Sequence, residues 1–114
     1  LTAPFCSLTH FAPYFYQTGY SRYFYEYWLK RLGLGILDMQ QNGNYFEYLG
    51  QELRRVPAVG QRYAGKSLTL IERLGIAVML GALKRFSQHD HGSEELLCFG
   101  LHILARKTDS SDRD

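Results

Sequence analysis

Leu96-Leu97-Cys98-Phe99-Gly100-Leu101-His102-Ile103-Leu104-Ala105 is an apolar run rich enough for a central strand, with one glycine inside it. Two shorter apolar runs precede it. Leu1 to Phe5 reads as the end of a buried strand stopped by Pro4, and Leu34 to Met39 as a strand that Asn42-Gly43 turns. Between these two the spacing predicts a helix. Ser21 can cap it, Tyr23, Phe24, Tyr27, Trp28 and Leu32 repeat at helical intervals, and Gly33 can stop it. Two more helices fill the interval before Leu96. The first begins at Asn44, with Glu47 at the capping-box position, carries Phe46, Leu49, Leu53 and Val56 on its stripe, and ends at Pro57. The second runs from about Ser67 to Phe86. Its stripe is Leu68, Ile71, Val78, Met79, Ala82, Leu83 and Phe86, and Leu70, Leu74 and Ala77 add a second apolar side, so deep packing is expected.

The order strand, helix, strand, helix, helix, strand predicts an α/β layer architecture. Three strands leave two exposed edges and incomplete helical cover. Part of the sheet is therefore expected to be missing from these residues.

Composition narrows the function classes. The 114 residues suit one compact domain, and 46% hydrophobic with 21% charged residues argues against wholesale disorder. A net charge of +2 gives no electrostatic case for nucleic acid or an anionic membrane surface. The longest apolar stretch, between Arg73 and Lys84, is about half of the ~20 residues a spanning helix needs. Cys6 and Cys98 stand far apart, which excludes a Cys-rich zinc module and fits a reducing, cytoplasmic setting.

Several short patterns suggest chemistry. Gly60-Gln61-Arg62-Tyr63-Ala64-Gly65-Lys66-Ser67 fits the G-x-x-x-x-G-K-[ST] phosphate loop, which would make the chain a nucleotide binder. A phosphate loop must follow a buried strand, however, and the residues before Gly60 read as a helix end with Pro57. A plain connection between helices is the simpler reading. His89-Asp90-His91 offers two imidazoles and a carboxylate but no third convergent ligand, so a solvated loop is expected and no metal. Ser7, His10 and Asp38 could be drawn as a triad, yet no G-x-S-x-G elbow surrounds Ser7.

The aromatic loop from Cys6 to Tyr20 is the stronger candidate. It leaves the carboxyl end of the first strand, the edge at which open α/β sheets bind ligands. If the second strand is parallel to the first, it delivers Asn42, Gly43 and Asn44 to the same edge. His10, Tyr14, Tyr16 and Asn44 could then face one pocket, or His10 and the tyrosines could simply pack the loop down.

The blocks Thr2-Ala3-Pro4-Phe5-Cys6-Ser7-Leu8-Thr9-His10-Phe11-Ala12-Pro13-Tyr14, Thr18-Gly19-Tyr20-Ser21-Arg22-Tyr23, Asn42-Gly43-Asn44-Tyr45-Phe46 and Gln51-Glu52-Leu53-Arg54-Arg55 resemble the C-terminal half of bacterial class I methyltransferases. These use S-adenosylmethionine on a Rossmann-like sheet of seven strands. The last of those strands is antiparallel and inserted between the fifth and sixth. The resemblance implies that Leu1 to Phe5 is the fifth strand, Leu34 to Met39 the sixth and Leu96 to Ala105 the seventh. Residues 1–106 would then be the C-terminal part of the domain, and 107–114 a polar tail.

The family's Gly-rich loop and ribose-binding acid have no counterpart here, so the resemblance implies no cofactor-binding residue in this chain. It implies an acceptor side, with His10 as candidate base and Tyr14, Tyr16 and Asn44 as candidate acceptor contacts. The chain alone would be inactive and would bind no S-adenosylmethionine. It would pair with the missing half or with itself, and the methyl acceptor is not readable. The reading of a different class is a non-catalytic interaction module that uses the aromatic surface.

Overall fold

The computed structural model describes residues 1–4 and 19–108. It is mixed α/β, with a small three-stranded sheet and three α-helices. The chain divides into two compact units, Leu1–Asn42 with Leu97–Asp114, and Gly43–Leu96.

The first unit holds β1 (Thr2–Pro4), α1 (Arg22–Arg31), β2 (Leu34–Asn42) and β3 (Gly100–Lys107). β3 lies in the middle and is antiparallel to both neighbours. β1 and β2 therefore run parallel to each other on its two sides. β1 is an edge strand. Leu1 and Ile103 exchange both backbone bonds, at 2.8 and 2.7 Å. In that register Thr2 and Pro4 turn their backbone nitrogens to the outer edge, where proline's missing N–H costs no ladder bond.

Alternation fixes the core. Leu101 and Ile103 of β3 are buried with Ala3, while His102 and Leu104 face out. Cys98, just before β3, is also fully buried. A bulge between Ile36 and Asp38 puts Leu37 outside the register. β3 starts four residues later than the apolar run suggests. Leu96 to Phe99 precede the ladder, and pairing begins where Gly100 meets both Pro4 and Asn42. It also runs further, because Leu34 pairs with Lys107. The expected polar tail from 107 is thus still strand at Lys107, and Thr108 donates from both N and Oγ1 to the Gly33 carbonyl, at 2.9 and 2.8 Å. Gly33 sits at φ +72°, the left-handed turn that ends α1 and starts β2.

α1 lies against β2, but none of its residues is fully buried. Ser21 occupies the N-cap position without a side-chain capping bond. The aromatic side of α1 is built on Tyr20, whose ring stacks on Phe24 with centroids 3.9 Å apart. Phe24 meets Tyr25 edge-on at 5.4 Å. The exposed pair of Arg22 and Glu26, 2.8 Å apart, contributes about 0.3–0.5 kcal/mol at most.

The second unit is a helical hairpin of α2 (Tyr45–Val59) and α3 (Leu70–Gln88), followed by a 3₁₀ turn at Ser93–Glu95. Asn44 caps α2, its side-chain oxygen accepting from the Glu47 amide at 3.0 Å. The reciprocal half of the expected box is replaced. Glu47 accepts instead from Ser87 Oγ, which also accepts from Asn44 Nδ2. Pro57 does not stop α2. The helix continues to Val59 and then widens into a π turn at Gly60–Ala64, and the stop comes at Gly65, with φ +61°.

α3 begins at Leu70 rather than near Ser67, because Thr69 and Glu72 form a complete capping box. Thr69 N and Oγ1 both donate to Glu72 Oε2, at 2.8 and 2.9 Å. These bonds hold the Glu72 carboxyl below the usual carboxylate range. A depressed folded-state value stabilises the helix start above the ordinary carboxylate pKa. That contribution is lost as pH falls through the depressed value. Thr69→Ala should cost the ~1 kcal/mol of an N-cap. Urea melts followed by circular dichroism check this, and the gap between variant and wild type should narrow in acid, where the Thr69 Oγ1 bond to the Glu72 carboxylate weakens while the Glu72 amide bond to Thr69 Oγ1 does not titrate.

The deep packing expected of α3 is not found, and none of its residues is buried. Its partner within the unit is one helix, α2, which covers one side only.

Candidate functional site

The parallel course of β1 and β2 brings their carboxyl ends together. Pro4 and Asn42 pair with Gly100 from opposite sides. The Tyr20 amide donates to the Pro4 carbonyl at 3.4 Å, so the chain that departs after Pro4 is back at the same edge by Tyr20. The segment between carries His10, Tyr14 and Tyr16, as well as Cys6 and Ser7. All five lie outside the described residues.

Two described groups, Gly100 and Cys98, shape this edge, and Tyr25 on α1 lies beside Tyr20. Gly100 is there because nothing larger fits, since a Cβ on it would lie 2.7 Å from the Ala3 carbonyl oxygen. Cys98 is buried and its thiol donates to the Gly100 carbonyl at 3.5 Å, an inert packing role rather than that of a nucleophile. The Tyr25 hydroxyl, on the aromatic side of α1, is pushed up by burial and then by Tyr20. It stays protonated at neutral pH and is therefore no base. Sequence reasoning saw Gly100 only as a glycine within an apolar run. A glycine inside a strand is itself the signal of close backbone approach.

Asn44 opens the helical unit, and its side chain is already engaged by Glu47 and Ser87. Asp38 stands on β2 and accepts from Gln40 at 2.9 Å, while the other two members of the drawn triad, Ser7 and His10, are not among the described residues.

The other motifs resolve into local structure. Gly60–Ala64 continues a helix instead of leaving a strand. The amides of Gly65 and Lys66 turn back to the Gly60 carbonyl, and Ser67 Oγ donates to Gln61 at 2.6 Å. These are the bonds of a helix end, whereas a phosphate cradle points its amides outward. His89 Nδ1 lies 2.9 Å from the Arg85 carbonyl, and Asp90 accepts from the Ser93 amide. Among the described residues no three His, Cys, Asp or Glu side chains converge as metal ligands.

An open cleft of about 690 Å³ lies at the opposite edge of the sheet, lined by residues that include Glu26, Lys30, Gly33, Gly35 and Thr108. Its wall is the carboxyl end of α1, the negative end of the helix dipole, which Lys30 and Arg31 offset. The Glu26 carboxylate on its lining is already paired with Arg22, at 2.8 Å. No described helix is long and apolar enough to cross a membrane. Compared with family models, with curated proteins and with solved structures, the chain matches none of them.

Proposed function

We propose that these residues are the acceptor-side, C-terminal portion of an S-adenosylmethionine-dependent methyltransferase domain. The observation that supports this reading is the strand order β1-β3-β2, with the last strand in the chain lying between two parallel neighbours and running against both. That is the arrangement of strands five, seven and six in the resembling family. An antiparallel hairpin sheet of local connections would instead place consecutive strands side by side.

S-adenosylmethionine supplies an electrophilic methyl group when bound. The described residues offer neither a Gly-rich turn after a strand nor a carboxylate placed for a ribose, so they do not fit the cofactor and no contact with it is assigned. What this portion contributes is positioning of the acceptor at the Pro4–Gly100–Asn42 edge. His10 is the candidate base for an acceptor that carries a proton, and Tyr14, Tyr16 and Asn44 are candidate contacts. The outer edge of β1 is where a further strand would pair.

Calorimetric titration of the chain with S-adenosylmethionine is expected to give no binding. Micromolar affinity would overturn the partition between the two halves. The codons upstream of Leu1 supply the second test. An apolar strand ending in a Gly-rich turn supports the reading, and a start codon with no such strand sinks it. A second reading is favoured by Tyr23, Tyr27 and Trp28, exposed on α1 with the Arg31 guanidinium 5.5 Å from the Tyr27 ring and 5.7 Å from that of Trp28. Such a surface suits a protein-interaction module, and it would act with no methyl transfer at all.

A further inference from the structure

The cleft of about 690 Å³ at the carboxyl end of α1 is bounded on its other side by the first residues of β2, Leu34, Gly35 and Ile36. β2 is an edge strand, with no described strand beyond it. The Thr108 amide donates to the Gly33 carbonyl, so Gly33 and, two residues on, Gly35 turn their backbone groups toward β3. By alternation Leu34 and Ile36 turn theirs outward, on the side that borders the cleft. The bulge between Ile36 and Asp38 ends this regular edge. What stays open is a short run, Leu34 to Ile36, whose two outer members offer an N–H and a C=O each.

The same cleft is positively charged. Its lining carries Lys30 and Arg31 against one acid, Glu26, which is paired with Arg22 at 2.8 Å. Arg31 donates to the Tyr27 hydroxyl and lies over the Tyr27 and Trp28 rings, contacts that leave its charge uncompensated. The Lys30 ammonium has no partner among the described residues. The end of α1 offsets only part of this charge, since a helix dipole amounts to roughly −0.5 charge there. Its Trp28 and Lys30 carbonyls, moreover, already accept from the Leu32 and Gly33 amides.

We infer that this cleft binds the C-terminal end of an extended peptide, which adds as a short strand along Leu34–Ile36 and sets its terminal carboxylate against Lys30. The inference stands independently of the methyl-transfer reading, whose edge at Pro4, Gly100 and Asn42 lies at the other end of the strands. Open strand-edge groups are satisfied by another backbone, and strand addition supplies those bonds whatever the side chains. An edge this short fits the last residues of a chain better than a strand passing through, and a chain end carries a carboxylate that matches the two cations. A phosphate would match the charge but leave the Leu34 and Ile36 groups without partners. Leu32, 70% exposed beside them, favours apolar side chains on the peptide.

NMR titration of the isotope-labelled full chain with a tetrapeptide of one glycine and three valines, its C-terminus free, tests this. Saturable binding below about 1 mM is expected, with the Leu34 and Ile36 amides shifting most. Amidating the peptide should weaken binding at least tenfold, because the charge-assisted bond is lost. Lys30→Ala should do the same to the free acid, with unchanged circular dichroism, and Lys30→Arg should keep the binding. No binding at about 1 mM, equal affinity of the amide, or an affinity that Lys30→Ala leaves unchanged overturns the inference. So do shifts confined to residues away from Leu34 and Ile36. An amidated peptide ending in aspartate that binds as tightly as the free acid also overturns it, since the site would then read an acidic side chain and not a chain end.

Discussion

Gly100→Ala should detach β1 from the sheet. The added Cβ would sit 2.7 Å from the Ala3 carbonyl oxygen, a separation real Cβ atoms do not show. The obstructing atom is backbone, so no side-chain rotation relieves it. β3 is held on its other side by β2 along eight paired positions, whereas β1 spans three residues. The strand that gives way is therefore β1. Overpacking of this kind costs about 1–3 kcal/mol, and here the upper end is expected because the clash is with main chain. Hydrogen exchange read by NMR separates local from global loss. The Ile103 amide, bonded to the Leu1 carbonyl at 2.7 Å, should lose protection. The Phe99 amide, bonded to Asn42 on the β2 side, should keep it. Unchanged protection at Ile103 would mean that β1 accommodates the methyl group, and the close approach would not be what fixes glycine at this position.

The same glycine shows where the sequence was legible and where it was not. Hydrophobic runs located all three strands, because burial on one face demands apolar residues whatever the partner. They did not locate the strand ends, because pairing is a property of two strands at once. Gln40, Gln41 and Asn42 are polar and still strand, since β3 continues opposite them. Leu96 and Leu97 are apolar and not strand, since nothing pairs with them. At the helix ends, local chemistry was a better guide than the stripe. The Thr69–Glu72 box starts α3 although Leu68 extends the apolar pattern, and the left-handed Gly65 ends the α2 extension although Pro57 lies earlier. Proline costs this helix only its own N–H bond, and the chain stays helical beyond it until the left-handed Gly65.

Of the candidate site, the part that depends on topology was legible. The condition set on the second strand was that it run parallel to the first, and with β3 between them β1 and β2 do so and bring Pro4 and Asn42 to one edge. The part that depends on side-chain competition was not. Asn44 reads equally well as an acceptor contact and as a helix cap, and only the bonds to Glu47 and Ser87 show that capping is in place. His10, Tyr14 and Tyr16 fall outside the described residues, so their shared pocket remains a proposal carried by the edge on which their segment begins and ends. The exposure of α3 was missed for a related reason. A helix apolar on two sides signals two partners, and periodicity alone does not say whether both belong to the same chain.

Leu101→Ala should be the most destabilising single truncation among the described residues. Leu101 lies on the central strand, is fully buried, and stands opposite Ala3 on one side and Gln41 on the other. Five apolar residues make up the buried core among the described residues, and four of them, Ala3, Cys98, Leu101 and Ile103, belong to the first unit. Within that small set Leu101 and Cys98 are the side chains with essentially no exposure, and leucine is the larger. Truncation removes the transfer free energy of the lost carbons and leaves a cavity, for about 2–5 kcal/mol in total. The rigid ladders on both sides of β3 hinder collapse into that cavity, which places the expectation near ~4 kcal/mol. Ile103→Val, two residues on and pointing the same way, should cost only about 1 kcal/mol. Because the chain has two compact units, urea unfolding must be followed by a probe confined to the first, such as Trp28 fluorescence. A loss under ~1 kcal/mol for Leu101→Ala would show that the sheet does not rest on this contact, and the core would then have to be sought around α1 instead.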